Sequence, residues 1–217
     1  MDQLTFVQII SVSLLPVLFA ITVHEVAHGY VAYLLGDKTA RVLGRLTLNP
    51  LKHIDIIGTV IVPIILVILG GVIIGWAKPV PINSRHFHKP KRDLALVAAA
   101  GPFANFLMLF IWAAIGKVGA ILVQHNIPGM SAVYYMGKAG IEINIMLFIL
   151  NLLPIPPLDG GHVLAGFLPK KLAIRYEQMA PIGFFVLLFL LAIGLLNVII
   201  NPAMTLFYSL IKSIFGL

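Results

Sequence analysis

The sequence predicts an all-α polytopic membrane protein of five or six transmembrane helices, with a re-entrant segment and short strands. Three observations lead there. Of the 217 residues, 60% are hydrophobic and 11% charged, and the mean hydropathy is +1.03, whereas a soluble domain is about half apolar and a quarter charged. Apolar runs near the length of about 20 residues needed to cross a bilayer recur along the chain, separated by breaker clusters such as "HNIPGMS" and "PIPPLDGGH". The formal charge of +7 comes from Lys and Arg lying between those runs, which fits orientation in a membrane and contact with anionic lipid, and argues against a nucleic-acid partner. No stretch is long and polar enough for a separate soluble domain, so residues 1–217 are expected to form a single membrane-embedded domain, with a core at 6–165 and C-terminal helices at 181–216.

The expected spans are 6–35, 58–75, 93–116, 139–156, 181–200 and 203–216. The first is expected to stay as a helix, because "MDQLTFVQII" lacks the basic start of a cleaved signal. The second is unusual in its flanks. Lys38, Arg41, Arg45, Lys52, Lys78, Arg85, Lys89, Lys91 and Arg92 lie on both sides of 58–75, while only Lys117 and Lys138 lie near the 117–138 connection. That distribution favours a re-entrant hairpin, which Pro63 and Gly70-Gly71 allow, over an ordinary transmembrane helix. Five crossings then put the N-terminus outside and every basic cluster, including Lys170, Lys171 and Arg175, inside. "VLGRLTLN" and "AKPVPIN" read as short extended pieces, either a small sheet edge or plain loops; Pro79 and Pro81 suit an edge strand.

The stretch "FAITVHEVAHGYVAYLL", Phe19 to Leu35, carries the chemistry. His24 and His28 are four residues apart, so on a helix they project from one face and can ligate one ion, with Glu25 beside the first as general base towards a metal-activated water. Ionisable groups near a bilayer centre cost about 2.5 kcal/mol or more even on lenient scales, and a bound Zn2+ ion offsets that cost. The chain has no cysteine, so a third ligand must be His, Asp or Glu. Asp159 in "NLLPIPPLDGGH" is preferred because two His and one carboxylate suit hydrolytic zinc; a turn aspartate and a competing His162 are the alternatives. His24 and Asp159 can meet only if both their helices end on the same side of the membrane, which three crossings before Asp159 allow.

"HEVAH" followed by "NLLPIPPLDGGH" resembles the site-2 protease family of intramembrane zinc metalloproteases, whose second motif has the form N-x-x-P-x-x-x-x-D-G. Asn151, Pro154, Asp159 and Gly160 match its fixed positions, "AAGPFANF" at 99–106 looks like the family's middle core helix, and "GWAKPVPIN" is similar to its compact bacterial and archaeal branch, which lacks PDZ and CBS domains. The resemblance implies a zinc metalloendopeptidase acting in regulated intramembrane proteolysis. One zinc ion would be held by His24, His28 and Asp159, with Glu25 as base. Asn105 and Asn151 would bind substrate, with interhelical hydrogen bonding as their alternative use. Its partners would be the lipid bilayer and a membrane-protein substrate with a single transmembrane helix. The protein would be multi-pass in a prokaryotic cell membrane, with the site towards the cytoplasmic side. His53, His86 and His88 are expected to be solvated or lipid-facing. A metal-ion transporter or channel using intramembrane His and Asp is the rival, but it has no need of Glu25.

Overall fold

The computed structural model describes residues 4–61 and 77–217. The first helix, α1 (Phe6–Leu34), opens on a capping box in which Thr5 and Gln8 bond each other's backbone N–H. Val12, Pro16, Ala20, His24, His28 and Ala32 are all buried, a stripe at intervals of four that turns one side of the helix inward. A short turn, α2 (Thr39–Val42), follows.

The central helix, α3 (Pro90–Gln124), starts with Pro90 at its first position, and the Asp93 carboxylate accepts from the Lys89 N–H at 2.7 Å. After Gly129, whose φ of 80° suits a residue without a Cβ, α4 runs Met130–Asn151. The remaining helices are α5 (Asp159–Phe167), α6 (Lys170–Glu177), α7 (Ala180–Ala192) and α8 (Leu195–Phe215).

The middle of the molecule is an antiparallel α1, α3, α4 bundle. His24 meets Asn105 while His28 meets Val97, so α3 runs back along α1. Gly116 faces Gly137, Trp112 faces Gly140, and Gly119 faces Tyr134, so α4 runs back along α3. A Cβ on Gly137 would stand 2.3 Å from the Gly116 Cα, and one on Gly140 would stand 2.2 Å from the Trp112 ring. Small residues let these backbones meet, which is the packing a membrane favours where no hydrophobic effect drives helices together. Met108, Leu109, Trp112, Ile141, Ile145 and Ile211 fill the core beside that contact.

Among the described residues, four helices are long and apolar enough to cross a membrane: α1, α3, α4 and α8. A fifth exists if α6 and α7, bent by 57°, are one span. Three expectations shift. The span expected at 139–156 is α4 at Met130–Asn151, because the helix stops before Pro154. The break expected between 200 and 203 falls instead at Gly194, where φ is 73°, and Pro202 lies inside α8. No strand occurs among the described residues. After Val42 ends α2, segment 43–49 is turns, bends and irregular chain, and 77–83 is irregular without a ladder, since Pro79 and Pro81 offer no N–H and the neighbouring N–H groups of Lys78, Val80 and Asn83 are taken elsewhere. Apart from Gly58–Ile61, at the end of a π-helical turn, the expected re-entrant segment lies outside the described residues.

The chain leaves α1 and enters α3 at the same end of the bundle. There Asp37 accepts from the Asn83 N–H at 2.6 Å, and the His88 Nδ1–H donates to the Leu35 carbonyl at 3.1 Å.

Candidate metal centre

The buried stripe of α1 brings His24 and His28 inward within the bundle, 9% and 7% exposed. His24 precedes the last residue of α1 by ten positions, which at 1.5 Å per residue is about 15 Å along the axis. Gly101 of α3 packs directly over the pair: a Cβ there would come within 2.3 Å of His28 Nε2 and 2.6 Å of His24 Cε1. The glycine of "AAGPFANF" is therefore what gives the two imidazoles room.

The other ring nitrogen of each histidine is held from behind. His28 Nδ1 lies 2.7 Å from the Val97 carbonyl, which can only accept, so that nitrogen carries the proton. His24 Nδ1 lies 2.6 Å from Asn105 Oδ1. The orientation of Asn105 is fixed in turn, because its Nδ2 donates to the Ala20 carbonyl and to Asn144 Oδ1, and Asn144 Nδ2 donates to the Gly140 carbonyl. Both imidazoles thus carry their proton on Nδ1 and present bare Nε2 lone pairs to the interior.

Asp159 arrives from the other side. Pro154 ends α4, and the loop through Leu158 turns back so that α5 begins at Asp159. Gly160 is required by that return, since a Cβ would stand 2.3 Å from the Leu152 carbonyl oxygen. Asp159 Oδ2 lies 3.2 Å from His24 Nε2 and 3.4 Å from His28 Nε2. The two Nε2 atoms are 3.0 Å apart. Asp159 Oδ2 is buried and makes no hydrogen bond. Three atoms that all bear lone pairs face one another with no proton assigned between them, an arrangement that a cation relieves. Neighbouring ligands of a tetrahedral zinc with bonds of about 2.0–2.2 Å stand about 3.3–3.6 Å apart, close to what is found. The three residues are positioned as possible ligands of one metal ion, and the donor set fits zinc.

The centre opens into a cavity of about 410 Å3 lined by Glu25, Asn151, His162, Val80, Ile82 and Leu94 among others. Glu25 Oε2 accepts from the Val80 N–H at 2.8 Å. Segment 77–83 is tied down on both sides of that bond: Lys78 N–H donates to the His53 carbonyl, Arg45 donates to the carbonyls of Lys78 and Pro79, and Asn83 N–H donates to Asp37. The segment becomes a strap that holds one oxygen of Glu25, a residue of the cavity wall.

The sequence-predicted residues sort clearly. His24, His28 and Asp159 converge, Glu25 stands beside them, and Asn151 lines the cavity with its Nδ2 donating to the Leu147 carbonyl. Asn105 is fully buried behind His24 and does not line the cavity. His162 lines the cavity but is outside the ligand triad; its Nδ1 lies 3.7 Å from Glu177. His53, expected to be solvated or lipid-facing, is instead buried and donates to the Thr47 carbonyl. His86 lies against Asp37 at 2.9 Å. Asn144 was not singled out, although an asparagine inside an apolar run is a signal. The Val80 N–H and the Val97 carbonyl are backbone groups with no signature in residue type.

Comparison with known proteins places these features in a family. The model for Peptidase family M50 matches residues 116–193, which include the Asp159 loop. The chain is 39% identical over 186 residues to "Putative zinc metalloprotease YwhC" of Bacillus subtilis, covering 83% of this chain and 80% of that protein. It is 28% identical over 180 residues to "Putative zinc metalloprotease Rip2" of Mycolicibacterium smegmatis, covering 83% of this chain and 66% of that protein. No solved structure matches the chain.

Proposed function

The chain belongs to peptidase family M50 and is a multi-pass zinc metalloendopeptidase, and from that premise we propose that it hydrolyses a peptide bond within or near a transmembrane segment of a membrane-protein substrate. The observation that carries the proposal is the depth and chemistry of the centre: three unprotonated ligand atoms within 3.4 Å of one another, about 15 Å inside the end of α1.

In this proposal His24, His28 and Asp159 hold the ion and Glu25 is the general base. When zinc is bound there, the chemistry it supplies is Lewis acidity towards water and towards the scissile carbonyl. Asn105 and the Val97 carbonyl fix the ligand imidazoles by accepting hydrogen bonds from their Nδ1–H groups. The Val80 N–H orients the Glu25 carboxylate, whose second oxygen takes the proton from water and passes it to the leaving amine. Asn151, on the cavity wall, is left to meet the substrate backbone, while Asn105 serves the histidine. A substrate helix must unwind locally to present its peptide bond in a cavity of this size, and a single-span substrate does so at least cost in lost contacts.

The orientation follows from charge. Lys38, Arg41, Arg45, Lys52, Lys78, Lys89, Lys91 and Arg92 border the end of the bundle where α1 finishes and α3 begins, and Lys170, Lys171 and Arg175 follow α5. That end faces the cytoplasm of a prokaryotic cell on the positive-inside rule. Residues 1–217 act as one catalytic domain. Metal transport is not favoured, because a transport site has no use for a carboxylate anchored beside the ligands.

The test is cleavage of a single-span substrate by purified protein in detergent, wild type beside Glu25→Gln, with zinc measured in both. Retained zinc with activity reduced by about a hundredfold or more is expected from loss of a general base. Undiminished cleavage by Glu25→Gln would sink the assignment.

A further inference from the structure

Asp159 differs from the two histidines in that it stands at the start of α5, directly after a loop: α5 packs on α3, where Gly166 meets Ala95, and the loop itself is touched by the bent pair α6 and α7. The Tyr176 hydroxyl, on α6, donates to the Pro154 carbonyl at 2.6 Å. Gly183, buried on α7, lies so close to the same loop that an added Cβ would stand 1.8 Å from the Pro156 carbonyl oxygen and 2.9 Å from its carbon. The Glu177 carboxylate approaches His162 Nδ1, one turn beyond Asp159, at 3.7 Å. On its other side the loop rests on its own turns, in which Ile155 N–H, Leu158 N–H and Gly161 N–H donate to the carbonyls of Leu153, Ile155 and Leu158.

We propose that Tyr176 and Gly183 are positioning residues for the Asp159 ligand: the bent pair α6 and α7 forms the outer wall that presses the 154–158 loop, and with it the carboxylate, against the histidine pair. The proposal rests on the assignment of Asp159 as a zinc ligand. It has a physical consequence beyond fold stability. A loop held from one side only would let the carboxylate sample positions off the metal, and loss of an outer-shell support costs about 10- to 100-fold in metal affinity. Gly183 has no tolerance for a side chain, because the atom it meets is backbone. Tyr176 contributes one hydroxyl, whose removal leaves the ring packing in place.

The experiment is the rate of zinc loss from full-length, zinc-loaded protein in detergent, read with an excess of a chromogenic chelator, together with the thermal midpoint. Wild type, Asp159→Ala, Tyr176→Phe and Gly183→Val are compared. Asp159→Ala is expected to lose zinc fastest. Tyr176→Phe and Gly183→Val are expected to lose it about tenfold faster than wild type. Wild-type rates of loss from Tyr176→Phe and Gly183→Val, with rapid loss from Asp159→Ala, would overturn the proposal and leave the ligand assignment standing, even if the midpoint fell. A wild-type rate from Asp159→Ala would overturn the ligand assignment and the proposal with it. Should Gly183→Val not fold, Tyr176→Phe decides alone.

Discussion

His24 and His28 stand on a continuous helix in the centre of the bundle, whereas Asp159 stands at the seam between a proline-broken loop and a nine-residue helix. The histidines are fixed by buried partners that cannot rearrange without unpacking α1, α3 and α4: Gly101 above, and Asn105 and the Val97 carbonyl behind. The carboxylate heads α5, which packs on α3 where Gly166 meets Ala95, and the loop before it is also held from outside the bundle by Tyr176 and Gly183. A candidate metal site assembled from one half within a continuous helix and one half at the start of a helix after a loop can be preorganised without being closed, since His24, His28 and Asp159 all line the cavity. The same division separates what mutation destroys from what it weakens.

The histidine half breaks most completely at Gly101. An alanine there would place its Cβ 2.3 Å from His28 Nε2, against a side chain whose opposite nitrogen is already bonded to Val97. Neither the ring nor α3 can yield without losing that bond or the α1 to α3 packing. Gly101→Ala is expected to abolish zinc binding and cleavage, measured as zinc content of purified protein. A variant that holds one zinc and cuts would show that the two halves are not different in kind.

Asn105 gives the next effect. Asn105→Leu keeps the volume close but leaves the His24 Nδ1–H without an acceptor in a buried position, where an unsatisfied polar group costs about 1–3 kcal/mol. Zinc affinity is expected to fall about 10- to 100-fold, as competition with a chelator would read. Asn144→Leu acts one bond further away, through Asn105, and should lose less. The order Asn105 before Asn144 is the sharper part of the prediction: an equal loss in both would mean that the pair acts as one packing unit and that the direct contact to His24 has no special weight.

The two halves were also unequally legible. Four-residue spacing is a property of residue letters, so His24, Glu25 and His28 announce a shared helix face, and an acidic residue after a proline-rich break nominates Asp159. The apolar runs likewise gave α1 nearly whole, but of α3, Pro90–Gln124, only 93–116. What the letters did not carry was backbone chemistry. The Val97 carbonyl and the Val80 N–H belong to residues with no polar side chain, and their roles come only from how α3 and the 77–83 strap lie against α1. Helix limits failed where a local cue competed with packing. The break expected between 200 and 203 falls instead at Gly194, which takes the left-handed turn while the helix runs through Pro202; the expected 117–138 connection is largely helical, since α3 continues to Gln124 and α4 already starts at Met130, where Gly137 meets Gly116.

The gentlest way to probe the boundary between the halves is Asp37, which touches neither ligand set. It is buried, 1% exposed, and accepts from the Thr39 N–H and hydroxyl, the Asn83 N–H and His86 Nδ1. Burial by itself would raise its pKa, but the Thr39 hydroxyl, the Asn83 N–H, His86 and the Thr39 N–H outweigh it and bring the carboxyl down to about 2. A folded-state pKa below the ordinary value makes the stabilisation complete above the usual carboxylate range near 4, and it is lost as pH falls through that range towards 2. Wild-type protein should therefore lose thermal stability between about pH 4 and pH 2, and Asp37→Asn should flatten that part of the profile. At neutral pH the same substitution turns an acceptor for four donors into a group with an amide N–H of its own, which should destabilise by about 1–3 kcal/mol. Because Asn83 ends the strap whose Val80 N–H holds Glu25, cleavage should fall modestly while zinc content stays at the wild-type level. Zinc loss in Asp37→Asn would instead place the strap among the supports of the metal, and the line between the two halves would have to be redrawn to include it.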